Sequence, residues 1–330
     1  VYGGQRPFYE VWFGKLNVSV TQAFWFRYTL LDGAIQEAAT WAIWFETESD
    51  TSSKIIAGKN RYELKALALP SKLPSPLASE NLEETQEPPP QFLLGPNRLG
   101  KAYATGRAQA LEWDLTFRDS GRRFCHVPWA VKMLRLAKAH YTTPFADLRF
   151  RGTIRVGNRT VTVTEAPGMI GHICGTRQGH SWAWAHCNTF EAAPNVVFEG
   201  LSARIILAGK PTMPLSSFVL WVEHRCYRFC SSIKLAMARS TFGAGRWVFA
   251  VKARGVSLAG EVIAPADDQL AIVEYTDTDA SRLWCRNSKL ASVRLKLHDP
   301  KHGIDREFVA NGTAAFELVD RVLPEQSSTL

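Results

Sequence analysis

One segment of the chain concentrates side chains that could do chemistry. Residues 179–190 read Gly-His-Ser-Trp-Ala-Trp-Ala-His-Cys-Asn-Thr-Phe, in which small and large side chains alternate. Alternate residues of a β-strand share a face. Large aromatic side chains that face a cavity bind apolar molecules, and their π faces stabilise positive charge. The alternative is a tryptophan-rich core in which neighbouring carbonyls satisfy the polar side chains. The residues that would share the face are His180, Trp182, Trp184, His186 and Asn188.

Two other segments place ionisable side chains among aromatic ones. Glu10 and Trp12 would share a strand face in Tyr-Glu-Val-Trp-Phe, and Trp25 and Arg27 would share one in Ala23–Leu30. Burial raises the pKa of a carboxyl group, so Glu10 among aromatic rings would keep a proton to donate, whereas Arg27 nearby would hold it ionised. A structural pair between Glu10 and Arg27 on neighbouring strands is therefore the alternative to a proton donor.

Signals for metal or cofactor chemistry are weak. His172, His180 and His186 could supply zinc ligands, but Gly-rich intervals and lost alternation argue against a single three-histidine site. The sequence contains neither a Gly-x-Ser-x-Gly nucleophile motif nor a P-loop, and the Gly-Ala-Gly at residues 243–245 precedes a strand rather than a helix. We therefore expect no metal and no cofactor.

The six cysteines include no Cys-x-x-Cys pair, which is the signature of zinc ribbons and redox sites. Cys226 and Cys230 would share a strand face but lie too far apart to bond directly. Small buried thiols of a reducing compartment explain the set, so we expect a cytoplasmic protein. A secretory signal has a basic stretch followed by an apolar block, and the first residues, VYGGQRPFYE, do not show this pattern.

Composition bounds the function further. The chain of 330 residues is 46% apolar and 21% charged, which is typical of a globular protein with one large or two ordinary domains. No apolar run approaches the roughly 18–20 residues of a membrane helix. The net charge of +8 comes from scattered Lys and Arg, which argues against nucleic acid as a partner. The 11 Trp and 18 Phe stand out in a chain with only 4 Met.

Period-two alternation dominates the chain and predicts an all-β fold with few short helices. Aromatic and β-branched segments recur at near-regular spacing with turn residues between them, as in a sandwich or barrel. Gly157-Asn158 would form a two-residue hairpin turn, and residues 129–140 give the best helix signal. The predicted strands are Glu10–Phe13, Ala23–Leu30, Thr40–Glu46, Ala110–Phe117, Gly152–Val156, Arg159–Thr164, Gly179–Phe190, Ala203–Ala208, Phe218–Glu223, Trp247–Ala253, Val256–Ile263, Leu270–Tyr275, Ala291–Leu297 and Ala314–Leu318.

Two irregular stretches divide this pattern. Leu69–Gly100 contains seven prolines and an acidic centre, and we interpret it as a lid over a barrel mouth or as a disordered excursion. Residues 191–200 separate an earlier set of strands from a later one. We therefore predict a first domain at residues 1–195, which holds the aromatic pocket, and a second domain at residues 196–330.

Several motifs occur in a characteristic order. They are Phe-Trp-Phe-Arg-Tyr-Thr-Leu at 24–30, Trp-Ala-Ile-Trp-Phe at 41–45, Trp-Asp-Leu at 113–115, the segment 152–156, and Gly-Thr-Arg at 175–177 before Trp-Ala-Trp at 182–184. In this order they resemble the lipocalin-like (calycin) family of carotenoid 1,2-hydratases, tocopherol cyclases and AttH-type proteins, over roughly residues 8–190. The resemblance implies two consecutive antiparallel β-barrel or sandwich domains, no cofactor and a hydrophobic or isoprenoid ligand.

The catalytic members of that family hydrate or cyclise alkenes after protonation, and the hydratases carry an Asp-His-x-Trp-Gly element. The matching stretch here is Gly171-His172-Ile173-Cys174-Gly175, which keeps His172 and Gly175 but lacks the acid. If the chemistry is retained, another group must donate the proton. The candidate catalytic residues are then Glu10, His180 and His186.

We therefore expect a cofactor-independent cyclase or hydratase that starts carbocation chemistry on an isoprenoid or polyene substrate, by protonation or by templating. The alternative is a lipid- or terpenoid-binding protein without turnover. Tryptophans would shield the developing cation. The residues expected to contact the substrate are Trp12, Trp25, Arg27, Trp44, His172, Trp182, Trp184 and Asn188.

Overall fold

The fold is built almost entirely of antiparallel β-strands, which confirms the all-β prediction. The computed structural model describes residues 2–49, 52–64, 67–68, 92–128, 131, 133, 137–231 and 238–322. Two large sheets follow one another along the chain, accompanied by a two-stranded ribbon and by short 3-10 helices at Asp267–Gln269 and Pro300–His302. Among the described residues, no helix combines the length and the apolar character needed to cross a membrane.

The first sheet curls into a nearly closed barrel. Its strands are β1 (Phe8–Asn17), β2 (Gln22–Asp32), β3 (Gln36–Ser49), β4 (Ser52–Tyr62), β5 (Leu67–Ala68), β6 (Phe92–Leu94), β7 (Asn97–Leu99), β8 (Tyr103–Ala108), β9 (Leu111–Asp119), β10 (Phe124–Cys125), β11 (Ala139–Val156) and β12 (Arg159–Gly175). Their order is β4-β3-β2-β1-β12-β11-β9-β8-β7-β6-β5, with β10 paired to β11. Thr40 on β3 and Asn60 on β4 both donate to the carbonyl of Arg107 on β8, so distant strands of this order meet.

The second sheet is formed by the remainder of the chain. Its strands are β13 (Ser181–Cys187), β14 (Val196–Arg204), β17 (Leu215–Val222), β18 (Arg225–Phe229), β19 (Arg239–Gly243), β20 (Arg246–Ala253), β21 (Val256–Ile263), β22 (Ala271–Thr276), β23 (Arg282–Asp299) and β24 (Ile304–Asp320), and the separate ribbon pairs β15 (Ile206–Leu207) with β16 (Lys210–Pro211). The order is β18-β17-β14-β13-β24-β23-β21-β20-β19, with β22 paired to β23. Phe218 on β17 stacks on Phe249 of β20, so this sheet also wraps around its own core.

Alternation along the strands divides the apolar side chains among three main cores. On β2, Phe24, Phe26 and Tyr28 fill the interior of the first sheet, while Trp25 lies on the opposite face, as the sequence predicts. The small residues of β13 pack into the interior of the second sheet in the same way. The third core lies between the two sheets and receives side chains from both. The aromatic face of β13 therefore faces another sheet rather than the inside of a barrel.

The predicted hairpin at Gly157-Asn158 is confirmed. It joins β11 to β12, with Val156 paired to Arg159, and Gly157 adopts a positive φ of 59° that glycine tolerates without strain. Both strands extend far beyond the predicted segments because register shifts in β11 let them bend and continue across the barrel.

Three other predicted segments differ from the structure. Of the proposed lid at residues 69–100, residues 69–91 lie outside the described residues, and residues 92–99 form the hairpin of β6 and β7 instead of a loop. The helix predicted at 129–140 lies largely outside the described residues, and its last two residues begin β11. Residues 191–200 are less irregular than predicted, because the apolar run from Val196 starts strand β14.

The chain passes from the first sheet to the second between Gly175 and Ser181. Strand β13 pairs with β14 and β24, so the segment that carries the predicted aromatic face belongs to the second sheet. The division of the chain into domains at residues 195 and 196 stays a prediction.

Candidate functional site

The two sheets meet through a buried aromatic layer, which we call the intersheet layer. It combines strands β1, β2, β3, β11 and β12 of the first sheet with β13, β22, β23 and β24 of the second. Its buried apolar members include Tyr9, Val11, Phe13, Trp25, Trp41, Ile43, Tyr141, Met169, Trp184, Val273, Tyr275, Leu283, Cys285 and Val319. Ionisable side chains lie among these residues, and their arrangement defines the candidate site.

A carboxylate on β14 organises one end of the layer. Glu199 is fully buried, and its Oε1 accepts hydrogen bonds from the hydroxyls of Tyr141 and Thr143 and from Trp184 Nε1 at 3.1 Å. The Nε2 of His126 lies 3.3 Å from the same oxygen. Burial alone would raise the pKa of Glu199, but the adjacent His126 and these hydroxyl partners lower it to about 2. Oε2 has no partner among the described residues, so a buried carboxylate oxygen remains free.

His186, a predicted catalytic residue, lies on β13 opposite Glu199 on β14. It is fully buried, and its Nε2 is 2.7 Å from the carbonyl oxygen of Ala146 on the first sheet. Burial, together with the charge of Lys15, lowers the pKa of His186 to about 4, so the ring is neutral at pH 7. Because a carbonyl only accepts, Nε2 carries the proton and Nδ1 carries the lone pair. That lone pair has no partner among the described residues.

Asn188, predicted to contact substrate, connects the two sheets instead. Its Nδ2 donates to Asp147 Oδ1 at 3.0 Å and to the carbonyl of Gly168 at 3.1 Å. Its Oδ1 accepts from the Nζ of Lys15, which is also fully buried and donates to Asn17. All the amide groups of Asn188 are thus used in holding the sheets together.

The remaining predicted residues of the 179–190 segment separate. Trp184 is buried in the layer, where it packs edge-on against Phe13 with ring centroids 5.4 Å apart. Trp182 is half-buried against the same layer. His180 precedes β13, is half-buried and has its Nδ1 3.5 Å from the hydroxyl of Ser181. The shared face therefore runs from Trp182 through Trp184 and His186, without His180.

Trp25 and Trp184 approach a cation from opposite sheets. The ammonium of Lys289 lies 5.7 Å from the Trp25 ring centroid and 5.6 Å from that of Trp184. Lys289 is fully buried, and it is held by Glu317 Oε1 at 2.9 Å and by Asn287. It lies beside a bulge of β23, which changes where the strand aims its side chains. The two π faces predicted to stabilise positive charge thus already contact a lysine.

Arg27 lies in the layer on β2, with its Cζ 4.1 Å from the ring centroid of Tyr275 on the second sheet. The sequence leaves open a structural pair between Arg27 and Glu10. That pair does not form, because Phe13 is the β1 residue opposite Arg27, and Glu10 lies on the other face of the sheet.

The other predicted residues lie inside the first sheet. Glu10 Oε1 is 2.9 Å from His172 Nε2 and accepts from Trp12 Nε1, and the Trp12 ring stacks on His172 at 4.0 Å. Burial would raise the pKa of Glu10, but the His172 partner lowers it to about 2. Trp44 also faces this interior and donates to Glu46. Glu10 is therefore a carboxylate at neutral pH, which suits an acceptor or positioning role better than proton donation.

A surface depression of about 250 Å³ opens where the ends of β1 and β12 meet the turn between β22 and β23. Its lining residues are Pro7, Lys138, Thr176, Arg177, Thr278 and Asp279, and none of them is among the predicted site residues. In the part of the chain that the structure describes, no three metal-ligating side chains come together.

Comparison with known proteins agrees with this architecture. A family model described as tocopherol cyclase-like matches residues 123–317. The chain belongs to the tocopherol cyclase-like family. This confirms the resemblance drawn from the sequence motifs. The matched segment contains His126, Tyr141, His186, Glu199 and Lys289, whereas Glu10, Trp25 and Arg27 precede it.

Two relatives from Mycobacterium tuberculosis, the uncharacterized proteins Rv0493c (strain H37Rv) and MT0513 (strain CDC 1551), are each 25% identical to this tocopherol cyclase-like chain over 212 residues. The match spans 63% of this chain and 62% of each relative. The crystal structure of CghA with Sch210972 superposes with a TM-score of 0.56 and 11% sequence identity, covering 95% of this chain and 88% of CghA. That similarity shows a shared fold across both sheets.

Sequence reasoning missed several residues of the layer. Glu199 and Lys15 each interrupt an apolar run with a single charge, in Val-Val-Phe-Glu-Gly and Trp-Phe-Gly-Lys-Leu, whereas Lys289 follows the polar residues Arg286, Asn287 and Ser288 and gives no such signal. A lone ionisable residue in a continuous apolar run is rarely buried unless it is paired, so these interruptions were the available signal.

Proposed function

We propose that this chain is a cofactor-independent enzyme of the cyclase or isomerase type that binds a hydrophobic substrate in the intersheet layer. The observation that carries this proposal is the free Nδ1 lone pair of His186, a buried neutral imidazole two residues after Trp184 on the same face of β13. Membership of the tocopherol cyclase-like family supports the reaction class.

His186 has the properties of a general base. The carbonyl of Ala146 fixes the tautomer, so Nδ1 is the nitrogen that can accept a proton from a bound molecule. The buried carboxylate of Glu199, opposite His186 on the neighbouring strand, would stabilise the imidazolium that forms. The charge of Lys15 lowers the pKa of His186 and so favours return of the proton from the imidazolium to the product.

The substrate would be apolar, because Trp184, which shares its strand face with His186, belongs to the same buried apolar cluster as Trp25 and Phe13. Since all three rings are buried, entry requires the packed side chains of the layer to move aside. Binding of an apolar chain would then replace one set of apolar contacts with another.

Proton-initiated carbocation chemistry, the mechanism expected from the sequence, is less well supported. Glu10 is ionised beside His172, and His186 is neutral, so neither has a proton of suitable acidity to give at pH 7. The π faces of Trp25 and Trp184 also already contact the Lys289 ammonium, which leaves them less available to a substrate cation. We therefore propose that the reaction begins when His186 Nδ1 takes a proton from a carbon next to a substrate carbonyl: the C–H bond breaks, and its electron pair moves onto the carbonyl oxygen to give an enolate.

The second candidate is a protein that binds a hydrophobic ligand without converting it. One observation favours it: Gly171 stands where the hydratases carry their acid, and a Cβ at this position would meet the ring of Phe13 at 2.5 Å, so no larger side chain fits. The same layer would then serve as a closed ligand site.

The test is mass spectrometry after incubation with linear polyprenyl and polyene compounds that carry a carbonyl group, in deuterated water. We expect a product, or recovered substrate, that carries deuterium on carbon with the wild-type protein and not with His186→Gln. Glutamine retains an N–H for the Ala146 carbonyl but has no basic nitrogen. His180→Gln, at a half-buried position before β13, is the matched control and should behave as wild type.

A compound that is retained but unchanged would move the conclusion to the binding protein. Deuterium incorporation that persists in His186→Gln would remove His186 from the mechanism.

A further inference from the structure

Arg27 is a buried guanidinium that lacks acceptors. It is 8% exposed, and its Cζ lies 4.1 Å from the ring centroid of Tyr275 and 5.7 Å from that of Trp41. Its Nε is buried and has no hydrogen-bond partner among the described residues, and none of them forms an ion pair with its side chain. Burying a guanidinium N–H without an acceptor is unfavourable. Its position therefore calls for an acceptor that the described residues do not provide.

Two more buried donors in the layer lack a hydrogen-bond acceptor among the described residues. Trp25, two residues before Arg27 on the same face of β2, is 1% exposed, and its Nε1 has no partner among the described residues. The hydroxyl of Tyr275, beneath the Arg27 guanidinium, has only the thiol of Cys285 beside it, which is a weak partner. Buried polar groups in native proteins are nearly always satisfied, so three unsatisfied donors around one position indicate a ligand oxygen.

The charge of the layer indicates that this oxygen is ionised. Lys289 is neutralised by Glu317 at 2.9 Å. Lys15 donates only to the amide oxygens of Asn17 and Asn188, and it contacts no carboxylate among the described residues. Together with Arg27 it gives the layer two buried cations without direct counter-ions. The layer's other carboxylate, Glu199, is held by Tyr141 and His126 and contacts neither cation, so an anion beside Arg27 would supply a negative charge that this position lacks.

We propose that the ligand of the intersheet layer is an apolar chain that ends in a carboxylate, which Arg27 binds, with Trp25 Nε1 and the Tyr275 hydroxyl as further donors. A guanidinium above an aromatic ring keeps the N–H groups in its plane available, and these match the two oxygens of a carboxylate. This inference rests on the proposed function, because it assigns the polar end of the molecule whose apolar part lies against Trp184 and Phe13.

The experiment compares two probes with the same chain, farnesoic acid and farnesol, by isothermal titration calorimetry at pH 7.5. Wild-type protein is expected to bind the acid at least about tenfold more tightly than the alcohol, because a charge-assisted bidentate pair is roughly twice as strong as a neutral hydrogen bond. Arg27→Met should bind both probes with the affinity that the wild type has for farnesol. Arg27→Lys keeps the charge but not the planar fork, and should show an intermediate preference.

Arg61→Met, at an exposed position of β4, is the matched control and should keep the full preference for the acid. A second measurement covers the unliganded protein: Arg27→Met should raise Tm, because an unsatisfied buried charge is replaced by an apolar side chain of similar length. A fall in Tm would mean that the guanidinium is already satisfied without ligand, and would count against the site.

The outcomes separate this inference from the proposed function. Equal wild-type affinity for acid and alcohol would refute the carboxylate site and leave a hydrophobic ligand site in place. Retention of the acid preference in Arg27→Met would also refute it. Failure of both probes to bind wild-type protein would count against the intersheet ligand site itself.

Discussion

Lys15 offers a quantitative test of whether the intersheet layer is dry. It is fully buried on β1, and its Nζ donates to Asn17 Oδ1 at 3.0 Å and to Asn188 Oδ1 at 3.4 Å. Burial is the main cause that lowers the pKa of Lys15 from 10.5 to about 8, and the positive charge of Lys289 adds to it. The amine is therefore close to losing its charge at physiological pH.

The sign of the effect on stability follows from proton binding. Between pH 8 and pH 10.5 the unfolded chain keeps the Lys15 proton while the folded protein has released it, so the free energy of unfolding rises with pH across that window. Below about pH 8, the pKa of Lys15 in the folded protein, the buried amine is charged and this gain in the free energy of unfolding is absent. The full shift corresponds to about 3.4 kcal/mol, and the part between pH 7 and pH 9.5 to about 2 kcal/mol.

Lys15→Met removes this titration. We expect the unfolding free energy of the wild type, minus that of Lys15→Met, to increase by about 2 kcal/mol from pH 7 to pH 9.5. Urea unfolding followed by tryptophan fluorescence measures it at several pH values. Burial raises the pKa values of other groups, such as Tyr9 and Cys174, and these groups destabilise the fold at alkaline pH. Because they are present in both proteins, their effect cancels when the unfolding free energy of Lys15→Met is subtracted from that of the wild type.

Lys296→Met, the same substitution at an exposed position of β23, is the control and should show no change of this difference with pH. A difference between wild type and Lys15→Met that stays constant across the range would refute the reasoning. Lys15 would then be solvated, and the layer would contain water in place of a dry apolar interior.

Three further predictions follow from the same contacts. The pKa of Glu10 is lowered in the folded protein, so its ionised form stabilises the fold. The free energy of unfolding of the wild type should therefore fall by up to about 3 kcal/mol as the pH falls from 4.5 towards 2, and that of Glu10→Gln should fall less in the same urea assay. Trp184→Ala should lower the free energy of unfolding by about 3–5 kcal/mol, because it leaves a cavity and leaves Glu199 without one of its donors. Trp184→Phe should lower it clearly less, and Trp182→Ala, at a half-buried position, should have an effect smaller than that of Trp184→Ala. Equal effects would show that Trp184 is not packed as described. Ellman's reagent should label the exposed Cys226 rapidly in native protein and the buried Cys285 only after unfolding, and rapid labelling of both would contradict the burial pattern.

The fold could be read from the sequence because its signals are local. Alternation in Ala23–Leu30 assigns Trp25 and Phe26 to opposite faces of one strand, and Gly157-Asn158 specifies a hairpin turn, so neither needs distant information. Alternation does not say what each face meets. Alternation therefore predicts that Trp184 and His186 share one strand face. It does not predict that this face packs against the other sheet, because that depends on how the two sheets dock.

The site was predicted less completely because its ionisable residues come together from distant positions. The sequence leaves Glu10 either protonated by burial among aromatic rings or ionised beside Arg27, but its partner is His172, more than 160 residues away in sequence, which lies opposite Trp12 on β12 and lowers the pKa of Glu10. Tyr141 and Glu199 meet across the two sheets in the same way. Pairings of this kind depend on the order of strands within the sheets, which alternation does not encode.

The distribution of charge in the layer decides between the two kinds of intermediate that a cofactor-free cyclase could form. Lys289 lies within 5.7 Å of both Trp25 and Trp184, so the two π faces already contact a cation, although Glu317 neutralises the charge of Lys289. An oxyanion would be attracted by Lys15 and Arg27, which have no carboxylate partner among the described residues. Under the proposed mechanism, in which His186 takes a proton, the negative charge left on the substrate has the sign that Lys15 and Arg27 attract.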